Sequence, residues 1–186
     1  FIVNKQPGVK LVHGILRVAT FALFAGRAWQ HLFWDAPFRT LLWDQQVMEN
    51  LVLFLRGGTW QEYVTSAATD QFIQNTVIGF GIFYALMAVI TLMVPKRQLT
   101  KFTSLYILSS VALVFLAFLY SKEKFFHAGQ FFEYAIQFLL PLFFCYGLSQ
   151  RIEPKKWLLF MKIAIAFTFS AHGLYAIGYY PQPGVF

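Results

Sequence analysis

Five stretches of the chain stay apolar long enough to cross a bilayer, and short polar breaks separate four of them. They run near 11–34, 72–94, 102–120, 128–149 and 157–179, each close to the ~20 helical residues that span ~30 Å of hydrocarbon. The breaks PKRQLTK at 95–101, SKEKFF at 121–126 and QRIEPKK at 150–156 turn the chain with charge and, in two cases, proline. Short loops predict antiparallel neighbours. The pattern specifies an all-α membrane protein, a compact bundle of about five transmembrane helices forming one domain over residues 1–186.

The segment 35–71 has a different rhythm. Leu41, Leu42, Met48, Leu51 and Leu55 recur at helical spacing, which predicts an amphipathic helix lying in the interface until Gly57-Gly58 stops it. Thr59-x-x-Glu62 then matches a capping box opening a second short helix towards 67. These pieces read either as a lid over a site or as an interfacial collar.

Polar residues inside the spans are not scattered. On the first helix, at ~100° per residue, His13 and His31 share one azimuth, and Arg17, Thr20 and Arg27 lie within roughly 40° of it. Each charge in hydrocarbon costs on the order of 3 kcal/mol, so this stripe is expected to face protein and make the helix the hub of the bundle. The fourth span carries His127, Gln130, Glu133, Tyr134, Gln137 and Pro141 on one face about 120° wide. The fifth gathers Thr168, His172, Tyr175 and Tyr179 within about 60°. The second and third offer Gly79, Gly81, Tyr84, Thr91, Ser109 and Ser110, read as close-packing and hydrogen-bonding positions.

Composition agrees with the membrane class: 58% hydrophobic, 12% charged, mean hydropathy +0.56. The net charge of +7 lies in short clusters between apolar runs, which points to membrane anchoring and away from nucleic acid. With the N-terminus inside, Lys5, Lys10, Lys96, Arg97, Lys101, Arg151, Lys155 and Lys156 are cytoplasmic, against Arg39, Arg56, Lys122 and Lys124 outside. That asymmetry predicts N-in, C-out in a cytoplasmic (inner) membrane and puts 35–71 outside. The polar residues before the first span read as a lead-in rather than a signal peptide. A single cysteine, Cys145, excludes an intrachain disulfide, a CxxC pair and a CxxCH haem attachment site. No internal repeat is visible, and an odd span count argues against an inverted-repeat transporter.

In that orientation three polar faces reach one level. Arg27 and His31 end the first helix, His127, Gln130 and Glu133 begin the fourth, and His172 and Tyr175 lie in the outer half of the fifth. They predict a buried outer-leaflet site, with Arg27 as the partner of Glu133. Glu133 and His172 are the candidate acid and base. His13 and Arg17 lie towards the other leaflet and read as structural, Arg17 snorkelling to phosphate. The terminal Tyr179-Tyr180 and Pro181-x-Pro183 predict an aromatic rim that is either the mouth of the site or an anchor.

Several chemistries can be weighed against these residues. An HExxH zinc site is absent, and Ser170 lies nearly opposite His172 on its helix, so it makes no triad. A haem b would draw on His31, His127 or His172. A quinone needs an apolar aromatic slot with a His, Tyr or Arg for its carbonyls, and an anionic lipid headgroup suits Arg27 and the histidines equally.

The first helix, RVATFALFAG from Arg17 to Gly26, resembles the opening helix of the DoxX/DoxD group of small bacterial membrane proteins, in which an Arg precedes a Phe and a small-residue turn. The resemblance covers that helix and the plan of a compact bundle with short basic loops. It implies a quinone-linked or accessory role in a membrane redox system such as thiosulfate:quinone oxidoreductase. Arg17, Phe24 and Gly26 carry over as framework positions. The chain departs from the group in its long outer segment or fifth span, its Trp-rich stretch 29–43 and His172-Gly173-Leu174-Tyr175. Three functions follow as expectations: an accessory protein binding a quinone or lipid, an assembly subunit docking other membrane chains, and a membrane enzyme using Glu133 and His172.

Overall fold

The computed structural model describes residues 7–149 and 154–179, and among these the regular structure is entirely helical. The expectations on Lys5, Arg151 and the Pro181-x-Pro183 rim, and on the side chains of Lys10, Arg56 and Lys96, lie outside the described residues. In chain order the helices are α1 (Pro7–Phe33), α2 (Arg39–Leu42), α3 (Gln45–Arg56), α4 (Trp60–Thr65), α5 (Ala67–Met93), α6 (Lys96–Leu99), α7 (Thr103–Glu123), α8 (Ala128–Glu133), α9 (Ala135–Ser149) and α10 (Pro154–Ala176). Five helical segments are long and apolar enough to cross a membrane: Leu11–Phe33, Ala67–Met93, Arg97–Glu123, Ala128–Gly147 and Lys155–Ala176.

The helices depart from the expected bounds at several ends, α10 stopping at Ala176 so that Tyr179 lies beyond its helical face, and two differences bear on the site. The second span begins at Ala67 rather than 72, because extended Ser66 precedes the helix and Asp70 in its first turn favours the positive end of the helix dipole. The fourth span is broken into α8 and α9 at Tyr134, whose backbone leaves the helical region. A break frees the first amides of the new helix. Thr168 Oγ1 of α10 accepts one of them, the Ile136 N–H, at 2.9 Å. One turn further on, Pro141 interrupts the ladder of α9, and Ser110 Oγ of α7 donates to the Phe138 carbonyl.

α1 turns its polar stripe inward: His13, Thr20 and His31 are buried, while Leu11, Ile15, Val18, Trp29 and Phe33 are exposed. This is the arrangement a lipid solvent favours, since apolar surface costs nothing there and polar atoms need protein partners. α1 lies along α5 and against α9, α7 packs on α8 and α9, and α10 sits at the periphery on α8 and α9. Gly81 permits the α1–α5 approach, because a Cβ there would stand 2.8 Å from the Leu32 side chain and 3.1 Å from His31 Cβ. Gly79 has no such role; its Cβ would meet nothing within 4 Å. It lines a groove of 390 Å³ with Thr76, Phe80, Phe83, Leu108 and Ala112. α5 and α7 approach less closely than α1 and α5, and meet through side chains: Thr91 Oγ1 lies 2.9 Å from the Tyr106 hydroxyl, and Ile73 and Val77 cluster with Leu116 and Leu119.

Arg17 does not reach for lipid phosphate. Its guanidinium donates to the carbonyls of Thr91, Leu92 and Val94, each at 2.7 Å, and so caps the C-terminal end of α5. The negative end of a helix dipole and three spare acceptors satisfy the cation where hydrocarbon cannot. Phe24 is fully buried between Tyr84 and Tyr106, whereas Gly26 faces outward with nothing within 4 Å of a built Cβ.

At the other end, the chain between α1 and α5 closes the bundle. Ala36 and Phe38 bury against Ile73, Val77, Leu116 and Leu119. Lys122 pairs with Asp44, Thr40 Oγ1 donates to Glu123 at 2.8 Å, and Arg39 pairs with Asp70 at 2.5 Å. α3 is capped by Asp44 and ends at Gly57 in a left-handed conformation (φ 66°), and Thr59 and Glu62 form the capping box of α4.

Candidate functional site

The seven residues expected to converge divide into two clusters at this closed end. Arg27 and His31 belong to an inner one. Arg27 donates to Gln30 Oε1 at 2.6 Å and to Gln137 Oε1. Its guanidinium carbon lies 5.6 Å from the Tyr120 ring and 5.7 Å from that of Tyr134, rings that stack on each other at 5.1 Å. Gln30 Nε2 donates in turn to the Tyr120 hydroxyl. Among the described residues no carboxylate stands within ion-pair distance of Arg27. The expected Arg27–Glu133 pair is therefore corrected: two amide oxygens and two aromatic faces hold this cation.

His31 is 1% exposed and sits in the α1–α5 interface, its ring edge-on to Tyr84 at 5.3 Å and to Phe38 at 6.1 Å. Its Nδ1 lies 2.7 Å from the Arg27 carbonyl. A carbonyl only accepts, so Nδ1 carries the proton. Nε2 and the Tyr84 hydroxyl are buried without a hydrogen-bond partner, enclosed by the aromatic rings of Phe38, Phe80 and Phe83.

The outer cluster holds the other five expected residues. Glu133 Oε1 accepts from His172 Nδ1 at 2.9 Å, joining α8 to α10. The Glu133 side chain is 21% exposed and that of His172 is 64% exposed. Gln130, 2% exposed, accepts from Lys124 Nζ at 3.1 Å, and the same ammonium stands 5.0 Å from the Tyr175 ring. His127 is the N-cap residue of α8, and its carbonyl accepts from the Gln130 amide at 2.9 Å. The outer cluster presents both signs of charge and open valences: the second Glu133 oxygen, His172 Nε2 and spare protons on Lys124.

An apolar groove of 370 Å³ runs between α9 and α10, walled by Phe138, Leu142, Phe143, Trp157, Phe160 and Ala164 among others. Phe132 and Phe167, stacked at 5.1 Å, mark the end nearest the outer cluster. Glu133 follows Phe132 in sequence, and His172 lies one helical turn beyond Thr168. The Phe132–Phe167 end of the groove therefore lies beside the Glu133–His172 pair.

His31 faces α5, whereas His172 sits on α10, which packs on α8 and α9, so these two histidines do not form an axial pair for haem. Among the described residues no three His, Cys, Asp or Glu side chains gather as a metal shell.

Several participants escaped the sequence reading. Gln30 lies about 100° from the His13–His31 line and so outside the recognised stripe, although its i+3 spacing from Arg27 puts it on the neighbouring turn. Tyr134 and Gln137 were on the recognised polar face of the fourth span, but spacing does not say which polar neighbour each one meets. Tyr84 was placed among close-packing and hydrogen-bonding positions and Lys124 among the outer charges, and Tyr120, at the end of an apolar run, carried no signal of its own. Comparison with family models, with curated proteins and with solved structures returns no match.

Proposed function

We propose that the chain is a multi-pass protein of the cytoplasmic membrane, N-terminus inside and C-terminus outside, that binds a quinone or lipid and serves as an accessory component of a membrane redox system. The ligand's tail lies between α9 and α10, and its head meets Glu133 and His172. What supports this reading is that the largely apolar groove ends at Phe132 and Phe167, beside the partly exposed Glu133–His172 hydrogen-bonded pair, the juxtaposition an amphiphile needs. The inner cluster supports the reading by contrast, since Arg27 is already satisfied by the protein. Orientation rests on the distribution of Lys and Arg, and the accessory role on the likeness of the first helix to DoxX/DoxD proteins.

Trp157 lines the groove and reports on its contents. In a variant carrying Trp29→Phe, Trp34→Phe, Trp43→Phe and Trp60→Phe, reconstituted in lipid nanodiscs, a brominated acyl chain or a decyl-quinone is expected to quench Trp157 saturably and to be displaced by an unlabelled competitor. Quenching that rises linearly without saturation or displacement would mean ordinary lipid contact and would overturn the assignment.

A further inference from the structure

We infer, resting on the reading just given, that the mouth of the groove selects a neutral headgroup bearing a hydroxyl, whose proton is donated to His172 Nε2. The Nδ1 of His172 lies 2.9 Å from Glu133 Oε1. An ionised carboxylate only accepts, so Nδ1 carries the hydrogen, and in the neutral ring Nε2 is left as a bare acceptor. The exposures give the direction: the carboxylate, 21% exposed, stands behind an imidazole that is 64% exposed. Glu133 is thus a positioning residue and His172 the one that meets the ligand.

The surroundings narrow the ligand class. A phosphate or carboxylate head approaching His172 would face the Glu133 carboxylate just behind the ring. The nearby cation, Lys124, is drawn to Gln130 Oε1 and lies over the Tyr175 ring. A quinone carbonyl offers no proton to Nε2, whereas a quinol or an aliphatic alcohol does. The tail reaches this point because the groove ends at the Phe132–Phe167 stack, next to Glu133 and a turn short of His172. The ligand class is therefore a long-chain alcohol or a quinol, bound by one hydrogen bond and an apolar chain.

Two probes with the same chain separate donor from acceptor: 1-dodecanol, and its methyl ether, which cannot donate. Each competes with a brominated lipid for Trp157 in the reconstituted single-tryptophan protein. The alcohol is expected to displace the bromolipid at about five- to tenfold lower concentration, the worth of one net hydrogen bond. His172→Phe abolishes this preference and His172→Gln, which keeps an acceptor, retains part of it. Glu133→Gln preserves the preference. Glu133→Leu weakens it, and nitrogen NMR of labelled histidine then shows the His172 ring losing its single tautomer. Equal displacement by alcohol and ether, a preference that survives His172→Phe, or stronger displacement by dodecyl phosphate would overturn the inference while leaving the groove assignment intact. Absence of saturable bromolipid quenching would remove the groove itself.

Discussion

The guanidinium of Arg27 is enclosed by amide oxygens and tyrosine rings that the chain itself supplies, whereas the imidazole of His172 has one protein partner and an open side. Both groups lie at the same end of the bundle, and Tyr134 of the inner cluster is the next residue after Glu133 of the outer. A polar group that lipid cannot solvate must be satisfied somewhere. The Arg27 guanidinium is held by Gln30, Gln137 and the Tyr120 and Tyr134 rings and so ties α1 to α7 and α9. The outer cluster is half-satisfied, and the remaining valence is what a ligand can use.

The sharpest way to break this contrast is to remove Arg27. Arg27→Ala leaves the oxygens of Gln30 and Gln137 without their donor and should cost about 2–3 kcal/mol of stability, measured by reversible unfolding in mixed micelles. A loss too small to resolve would mean that Arg27 is no more structural than His172. Gly81→Ala comes next, at about 1–2 kcal/mol, because the added methyl meets Leu32 and His31. Gly79→Ala, in open space, should change stability by less than about 0.5 kcal/mol in the same assay. His172→Phe should likewise shift stability by no more than about 0.5 kcal/mol, since its pair with Glu133 is exposed, while altering displacement at Trp157.

The smallest effect lies in the segment that closes this end. The bond from Lys122 holds the Asp44 carboxyl below its ordinary range. A depressed carboxyl contributes stability above its unfolded value and loses it as pH falls through the folded one. Amide exchange across 36–44 should therefore quicken only below pH 3.8, the ordinary value for this group, whereas Lys122→Met should quicken it above pH 3.8 as well and flatten its dependence on pH.

Legibility in the sequence followed the kind of signal. Span number and the inward stripe of α1 come from periodicity, which is a one-helix property, and these appear in the structure. Partner choice is a two-helix property. Glu133 was within reach of either Arg27 or a histidine by depth alone, and only the packing of α8 against α10 shows that the partner is His172. That break is itself invisible to an apolarity window, because it depends on Thr168, 32 residues away, accepting the Ile136 amide. The fate of Arg17 was equally hidden, since the carbonyls it needs become available only where α5 stops.

The marginal position of α10 bears on the order in which the molecule is made. Chains are synthesised from the N-terminus, and early segments can pack before later ones emerge. The ties that bind Arg27 run among α1, α7, Tyr134 and α9, all of which precede α10. When α10 arrives it brings Thr168 to the exposed Ile136 amide and His172 to Glu133, and in the same docking step it raises the second wall of the groove. The contacts around Arg27 thus draw only on segments made before α10, whereas the groove and its Glu133–His172 pair form only once α10 has docked.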